Sequence, residues 1–166
     1  GTLYDRRWLR TVETIYHWHH RAERYLRNET ALARVALVYS QQTATLYGGA
    51  EAQAKVEDHT LGMYQALIEA RVPFEMMHDQ LLELDHVRPF KLLILPNIAA
   101  LSDQQCDQLR RYVEQGGSLL ATYETALYDE TGRQRADFGL ADLFGVHFKQ
   151  RLPGPLKNSY LRLERE

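Results

Sequence analysis

Residues 91–126 read KLLILPNIAALSDQQCDQLRRYVEQGGSLLATYETA, and they spell out one strand, a crossover helix and a second strand. Lys91 to Pro96 is a nearly continuous apolar run holding Leu92, Leu93, Ile94 and Leu95, the pattern of a parallel strand covered on both faces. Ser102 and Gln105 stand at the spacing of a capping box, with Leu101 placed to staple against Cys106 and Asp103 at the positive helix end. Leu109, Tyr112 and Val113 recur at helical spacing and face the sheet. Gly116 and Gly117 then stop the helix, because glycine takes the left-handed terminal conformation without a steric cost. Ser118 to Thr122 is the next buried strand, and a crossover between parallel strands is right-handed. Ligands of such open sheets gather beyond the carboxyl ends of the strands. Asn97 and the turn Thr122, Tyr123, Glu124, Thr125 therefore mark the functional rim.

The chain's 166 residues suffice for one full-sized domain with a single core. Its 22 acidic and 20 basic side chains nearly balance, and Lys and Arg are scattered rather than gathered into a stripe, which argues against a nucleic-acid partner. No apolar run reaches the roughly 20 residues of a membrane helix, so no membrane partner is expected. The one cysteine, Cys106, cannot form an internal disulfide. That fits a reducing compartment, and a cytoplasmic location is the expectation.

Asp5 to about Asn28 reads as a long helix whose Trp8, Val12, Ile15, His19, Ala22 and Leu26 alternate at spacings of four and three. Such a seam needs a cover: the rest of the domain, another copy or another domain. Arg34 to Ser40 is the first core strand. The ten residues QQTATLYGGA, 41–50, read as an unusually long loop before the next helix. From Glu51 to Arg71 one helical face carries Ala52, Val56, Met63, Ala66 or Leu67, and Ala70, and a second carries Leu61, Tyr64 and Ile68. The first face packs on the sheet, and the second calls for a neighbour.

Phe74 to Met77 forms the next strand, ending at His78 and Asp79 on the rim, and Gln80 to Val87 a short connecting helix. After the strand 118–122, Asp129 to Gly132 is a turn, Asp137 to Gly145 a short helix closed by glycine, and Val146 to Phe148 an edge strand. These elements predict a flavodoxin-like α/β three-layer sandwich. Its mostly parallel sheet has order 2-1-3-4 plus the edge strand, and a long N-terminal helix precedes it.

Candidate chemistry is sparse. Glu13, His17 and His20 share a helical face with the residue types of metal ligands, but no second cluster completes a coordination sphere, and they read as solvated or interface side chains. Cys106 sits in the first turn of a capped helix, where a thiol pKa falls, yet no His and Asp arrangement attends it and it reads as a small buried residue. Tyr47, Gly48 and Gly49 lack both GxGxxG and GxxxxGKS and read as a flexible connection. Glu75, Asp79 and Glu124 lie near strand ends, where carboxylates can pair for acid and base work. The rim candidates for contact with a substrate are Gln41, Tyr47, Asn97, Tyr123 and Glu124. No residue is assigned to catalysis, a metal or a cofactor.

The ILPN strand end, the YVEQGGSLL helix-to-strand turn, the acidic Asp129 and Glu130 turn and the DLFGV close stand in a telling order. Together they resemble the trimerisation domain of family 42 β-galactosidases and related glycoside hydrolases, which has the class I glutamine amidotransferase-like fold. The resemblance covers about Arg34 to Phe148. True amidotransferases of this fold carry a cysteine on the turn after the strand that here is Ser118 to Thr122, and this sequence has Thr122, Tyr123, Glu124 there.

The resemblance thus implies a non-catalytic oligomerisation domain of a β-galactosidase-like glycoside hydrolase acting in carbohydrate metabolism. It implies a homo-oligomer, a trimer, with the catalytic carboxylates on a TIM-barrel domain of the same full-length chain. Residues 1–31 would be the helix or linker from that domain, 32–150 the amidotransferase-like domain, and 151–166 a truncated C-terminal segment. The alternative is a stand-alone amidotransferase-like enzyme or small-molecule-binding domain using Cys106 or rim carboxylates.

Overall fold

The computed structural model describes residues 6–27 and 31–151, and the chain divides into two units between Leu32 and Ala33. The first unit is helix α1, Leu9–Leu26; its expected ends at Asp5 and Asn28 lie outside the described residues. Pairs one turn apart line it, such as Arg27 Nη2 to Glu23 at 3.1 Å and His17 to Glu13 at 3.7 Å. None of its residues is buried within the chain. Trp8, Ile15, Trp18, Tyr25 and Leu26 are all exposed, Ile15 to 56%.

The second unit is an all-parallel sheet of four strands, β1 (Val35–Tyr39), β2 (Phe74–His78), β3 (Leu92–Pro96) and β4 (Ser118–Thr122), in the order β2-β1-β3-β4. The order is the one expected from the alternation of strands and helices. On one face, Ala36, Val38, Met77, Leu93 and Leu95 meet Leu82, Val87, Phe90, Cys106, Leu109 and Tyr112 in the main core. Helices α4 (Leu84–Val87) and α5 (Asp103–Glu114) build that layer. The connection between β2 and β3 is thus less helical than expected, since residues 79–83 form a turn and bend before a single helical turn.

Helix α5 starts and stops as its residues dictate. Ser102 Oγ accepts the Gln105 N–H at 3.1 Å, and Gln105 Oε1 accepts the Ser102 N–H at 2.9 Å, a complete capping box. The two glycines at the end divide the work. Gly116 alone takes the left-handed conformation, with φ +90°. Gly117 is needed for closeness instead, since a Cβ there would fall 2.2 Å from the Tyr112 ring.

The expected loop at 41–50 is helix. Ser40 Oγ accepts the Thr43 N–H at 2.9 Å and starts α2 (Gln41–Thr43) directly after β1. Two π-helical turns, Ala44–Gly48 and Gln53–Glu57, flank a 3-10 turn, Gly49–Glu51, and lead into α3 (Asp58–Glu69). Burial overrides the weak helix propensity of two Thr and two Gly residues. Thr43 is enclosed with its hydroxyl on the Ala100 backbone, and Gly48 admits Ala52 and Val56 where a Cβ would lie 3.0 and 3.2 Å away. This stretch lies over β1 and β3, while Leu61, Tyr64 and Ile68 stay exposed as the second, uncovered face.

The expected edge strand Val146 to Phe148 does not form, and no fifth strand exists among the described residues. The Asp137 carboxylate captures the segment instead. Oδ1 accepts the N–H groups of Phe138 and Phe148, each at 2.8 Å, and Oδ2 lies 2.6 Å from His147 Nδ1. These bonds hold its pKa below the ordinary range, the Phe148 N–H having the largest effect. The glycine-closed helix is shorter than expected, α6 at Ala141–Phe144, with Gly145 left-handed at φ +67°.

Candidate functional site

β3 and β4 end side by side in the same unusual conformation. Asn97 follows β3 with φ +52° and Tyr123 follows β4 with φ +55°, a region that costs an L-residue roughly 1–2 kcal/mol. Surrounding bonds fix both turns. The Asn97 N–H donates to Thr122 Oγ1 at 3.1 Å, its Nδ2 to the Lys55 carbonyl at 2.6 Å, and its Oδ1 accepts the Glu124 N–H at 3.2 Å. Asn97 is wholly buried, so its side chain ties β3, β4 and the second π-helical turn together.

Glu124 points inward from the same turn. Its buried carboxylate accepts from Tyr47 Oη at 2.9 Å and from Arg151 Nε at 2.6 Å, and Arg151 Nη2 closes a bidentate pair. Arg151 Nη2 also donates to Tyr128 Oη at 3.0 Å, and the Tyr47 and Tyr128 rings lie 5.0 Å apart. Burial pushes the Tyr47 phenol well above its ordinary range, with a further push from Glu124 opposed by Asn97. The bond to Glu124 raises the Arg151 guanidinium likewise. With its oxygens held by an arginine and a phenol, Glu124 is an anchor rather than a free base.

Tyr123 does the opposite. Its side chain is 61% exposed and stacks on His59 with ring centroids 5.7 Å apart and planes 24° apart. The strained turn therefore presents a phenol to solvent. The chain's cysteine lies elsewhere, buried in the main core, and burial pushes its thiol up to about 11. An ordinary free thiol is near 8.5, so Cys106 is inert as a nucleophile.

Of the rim candidates, Tyr47, Asn97 and Glu124 converge, Tyr123 faces outward beside them, and Gln41 stands apart with Nε2 on Thr45 Oγ1 at 3.5 Å. The carboxylates that might have paired do not: Asp79 accepts from Ser40 Oγ and lies 2.8 Å from His78 Nδ1, while Glu75 is exposed on β2. Among the described residues no group of three or more His, Cys, Asp and Glu is arranged to hold a metal. Sequence reasoning missed Arg151, Tyr128 and His59, whose roles arise from contacts across the fold with no local signal.

A family model described as the β-galactosidase trimerisation domain matches residues 33–157. The chain belongs to that family. Solved structures with the trimerisation domain's fold include a β-galactosidase from Bifidobacterium adolescentis, 18% identical with a TM-score of 0.64, which covers 74% of this chain and 58% of its own. A β-galactosidase from Bacillus circulans sp. alkalophilus is 19% identical with a TM-score of 0.62, covering 75% of this chain and 19% of its own. This chain thus spans 58% and 19% of the length of those two chains. Among curated proteins no match was found.

Proposed function

We propose that this domain holds three copies of a longer, β-galactosidase-like glycoside hydrolase together, while a TIM-barrel domain of the same chain, in the cytoplasm, carries the catalytic carboxylates. The observation that carries the reading is the amount of large apolar surface left uncovered. Trp8 at the start of α1, Ile15 and Leu26 on it, and Leu61, Tyr64 and Ile68 on α3 are all exposed. Each such side chain contributes roughly 1.5 to 3 kcal/mol when fully buried, so a few per contact offset the entropy of association. The left-handed turn after β4 supports the non-catalytic half of the reading, because its exposed side chain is a phenol and the thiol sits in the core.

Sedimentation velocity of the full-length protein tests the proposal. A species of three times the chain mass is expected at micromolar concentration. A strictly monomeric full-length protein overturns it.

A further inference from the structure

Residues 146–151 follow α6 with no regular secondary structure, and Val146, His147, Lys149, Gln150 and Arg151 are exposed. Two carboxylates hold them. Asp137 accepts the Phe148 N–H at 2.8 Å, and Glu124 takes the Arg151 guanidinium. The two holds differ in kind, because Asp137 grips a backbone N–H that almost any residue supplies, whereas Glu124 grips one particular side chain.

The cage around Glu124 is built without that segment. The turn after β4 fixes the carboxylate, with the Glu124 N–H on Asn97 Oδ1 at 3.2 Å, and Tyr47 reaches it from the first π-helical turn with Oη 2.9 Å from Oε2. Tyr128 completes the cage, its ring 5.0 Å from that of Tyr47. The Glu124 side chain is 6% exposed and that of Arg151 53%, so a buried receptor meets a half-exposed occupant. Arg151 Nε and Nη2 lie on the two carboxylate oxygens, and Nη2 also donates to Tyr128 Oη at 3.0 Å. Three acceptor oxygens thus match the planar fork of a guanidinium, which the compact, strongly hydrated ammonium of a lysine does not reproduce.

We propose that Glu124, Tyr47 and Tyr128 form a guanidinium-binding site, filled by the chain's own Arg151, which takes a free guanidinium cation once that side chain is removed. The site selects shape as well as charge. A guanidinium-bearing ligand competes with residues 146–151 for the same oxygens, so occupancy of this site decides whether the end of the segment stays down on the turn after β4.

The test uses the full-length protein with Arg151→Ala, melted with methylguanidinium or methylammonium chloride at equal concentration and followed by circular dichroism. The variant is expected to melt below the parent, and methylguanidinium to raise its midpoint along a saturating curve, half-way at a millimolar concentration as suits so small a cation. A tenfold excess over that concentration multiplies the folding constant about elevenfold. Methylammonium brings the same charge and ionic strength and leaves the midpoint low. The parent, its site already filled, gains nothing from either salt. Arg151→Ala combined with Glu124→Gln is expected to be more stable than Arg151→Ala alone and indifferent to both salts, because no buried charge is left unpaired. If Arg151→Ala is unfolded without salt, its refolding by methylguanidinium is read in place of the midpoint. A variant that methylguanidinium does not rescue, that methylammonium rescues equally, or that is rescued just as well when Glu124→Gln is added overturns the assignment.

Discussion

Asn97 accepts the Glu124 N–H on its side-chain oxygen at 3.2 Å, so the residue that ends β3 sets the turn that ends β4. The same amide holds the Lys55 carbonyl at 2.6 Å. Replacing it strands two buried backbone groups, each costing about 1–3 kcal/mol. Asn97→Ala is expected to lower the unfolding free energy by about 3 kcal/mol in urea titration. Asn97→Gly should lose less, because it relieves the left-handed strain while making the same hole. Equal losses from the two variants would show that the φ of +52° carries no strain.

Tyr123 allows that strain to be measured where little else is at stake. At an exposed position, Tyr123→Gly and Tyr123→Ala remove the same stacking on His59. The glycine variant is expected to be more stable by ~0.5–1 kcal/mol, reversing the usual order of the two residues. An alanine variant at least as stable as the glycine one would refute a left-handed turn.

Gly117→Ala drives a methyl group into the Tyr112 ring, 2.2 Å from the nearest atom. A loss of about 2–3 kcal/mol is expected, at the upper end for overpacked sites. Shortening the ring in Gly117→Ala with Tyr112→Leu should recover part of that loss, so the double-mutant cycle should show a favourable coupling. Additive losses would mean that the two residues do not meet.

The Tyr47 phenol is raised by its burial and by Glu124, so the fold favours its neutral form. The stability this confers is fully present below the unfolded value of about 10 and is lost as pH rises past it. Thermal unfolding is therefore expected at progressively lower temperature above pH 10. Tyr47→Phe is less stable at neutral pH, having lost the bond to Glu124, but its alkaline decline is shallower. Part of the slope remains because burial also raises Tyr112. A Phe variant that declines as steeply as the parent would contradict this.

Cys106, with its thiol near 11, has about a thousandth of its population ionised at pH 8, against about a quarter once unfolded. Alkylation by iodoacetamide is expected to be at least ~100-fold slower in the native protein than in denaturant. Native labelling at the rate of a free thiol would reopen an enzymatic role for the residue.

The strand, helix and strand of residues 91–122 were legible because their signals are local. Four consecutive apolar residues, a Ser and Gln three apart and a glycine at the helix end each act within a few residues of themselves. Asn97, Tyr123 and Glu124 were legible as rim positions for the same reason, since a strand's carboxyl end fixes them. The stretch 41–50 was not, because its Thr and Gly content speaks for a loop while the burial of Thr43 and Gly48 decides for helix. Nor could the sequence reveal that Glu124 turns inward and Tyr123 outward. That depends on Arg151, 27 residues further along, arriving at the right place.

The guanidinium that neutralises Glu124 arrives late in the chain, after α6 and the Asp137 clamp are in place. Anyone trimming this protein for expression should therefore cut beyond residue 151. A fragment ending one residue earlier would keep every described strand and helix of the sandwich, yet it would enclose a carboxylate without the cation that answers it.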